Sequence, residues 1–453
     1  MIRTGTKWCF IFAVLVVFSP LYILGGCSMF DDDGGSDADG DGDGDGDADG
    51  TNDDSNDDSD TGPELIGQDP CAECAGFTGA DVLVVVDNSI SMQEEQQILA
   101  TGFFTLINAL VNPPEENPQV AGDIRLAVTS SDMGLQYGLD GEEAPDESAK
   151  IPQCDKRYKG DDGVFISDVA TEIEVQSNRI KCLEDGTQCP MADWTCVEGL
   201  CVAPDEADSA IVDCPDLDDD WTESSLDDPN TIIANQIACM AQLGTAGCGV
   251  EQQLKAGVRA LTRDDQQFFI RDDKLLTVIV VSDEEDCSIA DPGLFETLQW
   301  TSGELFNTAC NLPESNEEDF LFSIDYFYES LLALKNNQRN AVVFAGIIGV
   351  PPGKEPCEGT GDQLDDCLDH PDMVMRVEQF TKDGTEFTHF RPACTREVDG
   401  EEVTSARPGR RYVKLAQKFS CNGYIYSICN ADWSKAMSEI ARLINECTVI
   451  VVK

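Results

Sequence analysis

Residues 81–91 of this chain read DVLVVVDNSIS, an apolar run that ends abruptly in an acidic, hydroxyl-bearing turn. Five consecutive apolar residues, Val82 to Val86, are too continuous for a strand with one face in water. They predict a strand buried on both faces. Residues 91–111 then show the spacing of an amphipathic helix. The segment is therefore a strand, a polar loop and a helix in succession.

Further apolar runs alternate with helical patterns along the chain. Strands are predicted at 124–129, 275–281, 341–348 and 424–428, and helices near 251–261, 325–335, 410–419 and 433–444. Buried strands separated by helices predict an α/β fold, a Rossmann-like, doubly wound and mostly parallel sheet. Two cysteine-bearing, turn-rich stretches, about 132–230 and 351–407, interrupt the alternation and are predicted to be insertions held by disulfides.

The N-terminus has the layout of an export signal. Arg3 and Lys7 precede an apolar run at 8–24, and Gly25, Gly26 and Cys27 follow. This arrangement resembles a bacterial lipobox, which implies that residues 1–26 are a signal peptide and that Cys27 carries lipid such as palmitate. An uncleaved anchor helix is the alternative, but the run is short for a bilayer core of roughly 30 Å.

A lipid-modified Cys27 predicts a protein anchored in the cell envelope through acyl chains and without a spanning helix. Ser28 follows the cysteine, in place of the Asp that the resemblance associates with inner-membrane retention. The outer membrane or cell surface is therefore the favoured location.

Residues 27–70 are nearly all Asp, Gly, Ser, Asn and Thr, a composition that cannot form a core. They predict a disordered spacer between the lipid and the domain at 71–453. The alternative is an EF-hand-like calcium loop at Asp41, Asp43 and Asp45, but its twelfth position is Asn52 where a bidentate Glu is needed.

Cysteine and charge limit the functional classes. Setting Cys9 and Cys27 aside leaves 18 of the 20 cysteines, an even number that predicts disulfides in an exported protein. The close spacing from Cys182 to Cys201 predicts a small disulfide knot, whereas a zinc site at Cys71 and Cys74 lacks a second ligand pair. The net charge of −58 argues against nucleic-acid binding, and two histidines leave little for hydrolytic catalysis.

Asp87, Ser89 and Ser91 form a DxSxS motif between a buried strand and a helix. In this context the chain resembles the von Willebrand factor A (VWA) family, whose metal-ion-dependent adhesion site (MIDAS) uses that motif. The resemblance implies a site for Mg²⁺, or for Mn²⁺ or Ca²⁺, in which the two serines bind the ion directly and Asp87 acts mainly through water. Hydroxyl and carboxylate oxygens are the ligands that such hard cations prefer.

The resemblance implies two further metal-site residues. Thr245 lies in a Gly-rich loop before a predicted helix, although Gly247 stands where the family has a second Thr; a capping or turn role is the alternative. Asp283 ends the strand predicted at 275–281. The family often has Gly next, whereas here the next residues are acidic, and they either fill the open coordination position, bind a second cation or face solvent. These residues are Glu284, Glu285 and Asp286.

The hypothesis that unites these features is a cell-surface lipoprotein that binds a protein or other ligand through the metal, the ligand offering a carboxylate to the ion. One alternative is a structural or assembly component of the envelope that does not use the metal. A metal-dependent hydrolase is the third, and we expect no enzyme. A haloacid-dehalogenase-like mechanism would need a second Asp where Ser89 stands.

Overall fold

The structure is a computed structural model that describes residues 76–448 with gaps, the longest at 113–122, 144–159 and 295–319. Backbone contacts divide the chain into Met1–Thr61 and Gly62–Lys453, and the described residues all belong to the second unit. The predicted signal peptide, Cys27 and the spacer at 27–70 lie outside the described residues. Within the described part, no helix is both long and apolar enough to cross a membrane.

The described residues form seventeen strands, most of them short. In chain order they are β1 (Ala80–Val86), β2 (Asp123–Ser130), β3 (Gln136–Tyr137), β4 (Glu142–Glu143), β5 (Glu172–Gln176), β6 (Thr195–Val197), β7 (Leu200–Val202), β8 (Ser209–Asp213), β9 (Thr222–Ser225), β10 (Leu275–Ser282), β11 (Val342–Ile348), β12 (Gly359–Thr360), β13 (Val377–Lys382), β14 (Thr385–Phe390), β15 (Cys394–Val398), β16 (Glu401–Ala406) and β17 (Gly423–Ser427).

Six α-helices accompany them in the described part of the chain. They are α1 (Gln93–Val111), α2 (Asn230–Met240), α3 (Gln253–Thr262), α4 (Ile324–Ala333), α5 (Arg410–Phe419) and α6 (Ser434–Cys447). Short 3-10 helices occur at Ile90–Met92, Arg339–Ala341, Gly361–Gln363, Cys367–Asp369, Pro371–Met373 and Ser420–Asn422.

Seven strands form one sheet in the order β12-β17-β11-β10-β1-β2-β9. The five inner strands are parallel, and β9 and β12 pair antiparallel at the two edges. Val86 lies level with Val281 of β10 and Ser130 of β2. The loops that follow these three strands therefore meet at one edge of the sheet. The predicted α/β fold with a mostly parallel sheet is confirmed.

The continuous apolar run of β1 is explained by helices on both faces of the sheet. Val82 and Val84 belong to the core shared with α1, α2 and α6. Leu83 and Val85 belong to the core shared with α3, α4 and α5. Because side chains alternate between faces along a strand, both sets of positions must be apolar.

The two predicted insertions contain hairpins and also supply both edge strands of the sheet. β9 comes from the first stretch and β12 from the second. Short edge strands with polar residues have no continuous apolar run, so the periodicity did not reveal them. The first stretch is also followed by α2, a helix that was not predicted from the sequence.

Every cysteine that the structure describes is disulfide-bonded, as predicted. The knot consists of Cys182–Cys196 and Cys189–Cys201, and Cys214–Cys239 fastens the first stretch to α2. The sulfurs of Cys182, Cys189 and Cys201 lie within 4.8 Å of one another, a spacing that thiolate ligands of a metal would show. Their disulfide bonds leave no thiolate, so this cluster is a pair of packed disulfides.

Candidate metal site

Asp87 is fully buried directly after β1 and organises the loop around it. Its carboxylate accepts hydrogen bonds from Ser89 N (2.8 Å), Ser282 Oγ (2.6 Å) and Gln253 Nε2 (3.2 Å). Burial raises its pKa, and these hydrogen bonds oppose that rise. Asp87 thus joins the loop after β1, the end of β10 and the start of α3.

Ser89 and Ser91 place their hydroxyls side by side, with 3.1 Å between the two oxygens. Ser89 is buried and Ser91 is exposed, so the pair lies at the boundary between core and solvent. Ile90 between them is 66% exposed. The motif therefore offers hydroxyl oxygens at an accessible rim.

Asp283 is buried at the end of the neighbouring strand, and its Oδ1 has no hydrogen-bond partner among the described residues. Burial raises its pKa well above the usual range, and the charges of Glu284, Asp87 and Glu95 raise it further. The Ser91 hydroxyl lowers that pKa, so Ser91 and Asp283 are neighbours. A buried oxygen without a donor, near a second carboxylate and a hydroxyl pair, fits a divalent cation.

The loop that contains Thr245 is fastened beside the DxSxS segment. The Gln96 side chain donates to Gly244 O (3.0 Å) and accepts from Gly244 N (3.1 Å), and Gly247 N donates to Asn88 O (2.9 Å). A Cβ at Gly247 would lie 2.1 Å from Asn88 Oδ1, which explains why no second Thr stands there.

Thr245 itself is half-buried, and its hydroxyl forms no hydrogen bond within the described part of the chain. The alternative role as a helix cap is wrong, because α3 begins at Gln253 with Gln252 at its N-cap position. The structure thus brings the loop of Thr245 to the site.

The three acidic residues after Asp283 have different surroundings. Glu285 accepts from Arg410 N (2.8 Å) and Arg411 N (3.0 Å) at the start of α5, and Asp286 accepts from Leu254 N (2.9 Å) at the start of α3 and from Arg411 Nε (2.9 Å). Carboxylates are stabilised at helix N-termini by unpaired N–H groups. These two residues therefore hold the scaffold together, and neither faces solvent.

Glu284 remains at the site and forms an ion pair with Arg407. Burial raises the pKa of Glu284 to about 7, with Asp87 adding to the rise and Arg407 opposing it. Of the three acids after the strand, Glu284 is therefore the one that stays close to Asp87 and Asp283, and Arg407 partly neutralises it.

Three residues of this region were not predicted from the sequence. Glu251 is buried, and burial raises its pKa well above the usual range, as do the charges of Asp87 and Glu284. Gln253 donates to both Asp87 and Ser282. Glu95, in α1, accepts a hydrogen bond from Thr404 Oγ1. Their only signal was their position near predicted helix starts, which is equally typical of solvent-exposed residues.

Comparisons with known proteins add little to this geometry. A scan for protein families finds no match, and a search of curated proteins finds none either. Among solved structures, the pilus adhesin RrgA from Streptococcus pneumoniae matches 82% of this chain and 42% of its own length, with 10% identity and a TM-score of 0.19. This chain spans less than half of that adhesin, and at this TM-score the likeness supports no conclusion about fold or function.

Proposed function

We propose that this chain is a binding module of VWA type that uses a divalent cation to hold a ligand at the cell surface. The observation on which the proposal rests is the unpartnered, buried Oδ1 of Asp283. It lies among Asp87, the hydroxyl pair of Ser89 and Ser91, and Glu284. A buried carboxylate oxygen without a donor is costly, and a divalent ion would remove that cost.

In this proposal Ser89 and Ser91 bind the ion through their hydroxyl oxygens, and Asp87, Asp283 and Thr245 complete its surroundings. Mg²⁺, Mn²⁺ and Ca²⁺ are the candidates because each accepts oxygen ligands. The bound ion supplies a Lewis-acidic position that accepts an oxygen from a partner. Asp87 and Gln253 keep the loop in place through the hydrogen bonds described above.

The proposed ligand is a protein that offers a side-chain oxygen, such as a carboxylate, to the ion. The exposed Ile90 beside the serines adds an apolar contact for such a partner. Lipidation at Cys27 and the acidic spacer would hold the module away from the envelope surface, at the outer membrane or cell surface. The alternative of a purely structural envelope component predicts that removal of the metal leaves partner binding unchanged.

The decisive experiment is thermal unfolding of chelator-treated protein with added Mg²⁺, Mn²⁺ or Ca²⁺. At a hundredfold excess over Kd, one bound ion stabilises the fold by about 2.7 kcal/mol. Asp87→Ala should remove this response. Its cost in the metal-free state, about 1–3 kcal/mol for each donor left unpaired, is measured separately so that only the ion-induced shift is compared.

Asp43→Ala in the spacer is the matched control and should respond as wild type does. Equal responses from wild type and Asp87→Ala would place the ion elsewhere and contradict the proposed site. Affinity capture from the native surface with and without chelator then separates the adhesion hypothesis from the structural one, since only the former predicts metal-dependent capture.

A further inference from the structure

The segment from Glu251 to Gln253 crosses the edge of the sheet where β1, β2 and β10 end. Gln252 N donates to Ser131 O (3.2 Å) after β2, and Cys287 N donates to Glu251 O (2.8 Å) after β10. The Gln252 side chain accepts from Ile289 N (3.1 Å) and donates to Gly134 O (3.3 Å). The backbone on both sides of Glu251 is therefore held in place by two strand ends.

The Glu251 side chain is buried at this crossing. Its carboxylate lies near enough to Asp87 and Glu284 for both charges to raise its pKa, after burial, which is the largest cause. Arg407, which lowers that pKa, is ion-paired with Glu284. Among the described residues no cation forms an ion pair with Glu251, and Arg407 opposes its charge only from beside Glu284.

Two buried oxygens in this region have no donor among the described residues. Gln253 Nε2 donates to Asp87 and to Ser282, and this fixes the amide beside the Asp87 carboxylate. Its Oε1 is buried without a hydrogen-bond partner within the described part of the chain, as is Oδ1 of Asp283. Buried polar atoms are rarely unpaired, and two acceptors without donors fit a bound cation.

We propose that Glu251 contributes its carboxylate to binding of the cation, as a fourth carboxylate beside Asp87, Asp283 and Glu284. This inference rests on the proposed metal site and extends it to a residue that the DxSxS, Thr and Asp pattern does not contain. Added negative charge strengthens retention of a divalent ion and weakens the attraction of the site for an acidic partner. The ion would then be retained before any partner binds.

The experiment measures binding of Mg²⁺, Mn²⁺ and Ca²⁺, each alone, to the chelator-treated full chain by calorimetry, with thermal midpoints of the metal-free proteins. Glu251→Gln keeps the shape of the side chain and removes its charge. We expect the Kd to rise at least about tenfold, the lower end of the effect of residues that support metal ligands. The metal-free midpoint should rise, because a buried like charge beside Asp87 is gone.

Glu172→Gln, the same change on an exposed strand residue, is the control and should alter neither quantity. If Glu251→Gln does not fold, Glu251→Asp is used instead. It keeps the charge on a shorter side chain and should still weaken binding of the ion. Unchanged affinity in the Glu251 variant, with binding lost in Asp87→Ala, overturns this inference and leaves the proposed function standing. Weaker binding together with a lower metal-free midpoint shows a structural role and also overturns it. A wild type that binds no ion overturns both.

Discussion

Asp81 lies at the amino end of β1 and Asp87 directly after its carboxyl end. Both are buried, but their surroundings differ. At the amino end, Arg271 donates to Asp81 from its backbone N (2.7 Å) and from Nε (2.8 Å). The same guanidinium reaches Asp123 at 2.7 Å, and Lys274 reaches Asp123 at 3.1 Å. At the carboxyl end, the donors to the Asp87 carboxylate are uncharged.

The difference shows that counter-charge, more than burial, distinguishes a structural carboxylate from a candidate ligand. Glu251, Asp283 and Glu284 join Asp87 at the carboxyl end, and in the described residues Arg407 is the cation that pairs with this group. Buried acids at the amino end are neutralised by the fold itself. In the proposed function, those at the carboxyl end would be neutralised by an ion from solution.

The largest expected effect is at the amino end. Arg271→Ala should destabilise the domain by about 3–5 kcal/mol, because it leaves Asp81 buried without its cation. Urea unfolding of the metal-free and metal-loaded proteins measures the loss, which should be the same in both. A loss below about 1 kcal/mol would mean that the charge of Asp81 does not need Arg271.

The next effect tests the carboxyl end. Asp283→Asn should make the metal-free domain more stable by about 1 kcal/mol, because one of several like charges is removed from a buried group. It should also abolish the ion-induced gain of about 2.7 kcal/mol at a hundredfold excess over Kd. Thermal midpoints with and without ion measure both changes. A variant that is less stable without metal yet fully responsive to it would contradict this account.

The raised pKa values at the carboxyl end predict how stability varies with pH. A folded-state pKa above the unfolded value means that the folded state binds more protons, so stability falls as pH rises. The metal-free domain should lose stability from about pH 4 upward, through the pKa of about 7 for Glu284, by up to about 1.4 kcal/mol per pH unit for one titrating group.

Ion binding should oppose this fall, because the ion displaces those protons and its affinity rises with pH. Unfolding free energies at several pH values, with and without ion, check the sign. Asp283→Asn is the control and should flatten the metal-free slope. A metal-free domain that gains stability between pH 5 and 7 would contradict the assignment.

The smallest expected effect is that of an exposed carboxylate at the amino end, which contacts the same arginine as the buried Asp81. Glu223 is 47% exposed and also contacts Arg271, at 3.5 Å. Glu223→Gln should cost no more than about 1 kcal/mol, because an exposed ion pair contributes little. The same urea experiment measures it. A loss as large as that of Arg271→Ala would mean that the whole network acts as one unit.

Several parts of the fold and site were predictable because their sequence signal is local. The apolar run of β1 predicted a buried strand, and the motif after it predicted a loop at the edge of a parallel sheet. The ends of α5 were predicted without error, since its residues Arg410–Phe419 are strongly amphipathic. Edge strands β9 and β12 and helix α2 were missed, because short elements in polar surroundings have no comparable periodicity.

The sequence by itself determined the class of fold, the presence of disulfides but not which cysteines pair, and Asp87, Ser89 and Ser91 as candidate oxygen ligands. Each depends on composition or on residues that are neighbours in the chain. Only the tertiary structure decided which of the other acids belong to the site. Glu285 and Asp286 lie next to Glu284 in sequence but hold helix N-termini. Glu251 is far from Asp87 in sequence, and parallel strand ends bring the two together, because charges interact through space and their distance is set by the fold.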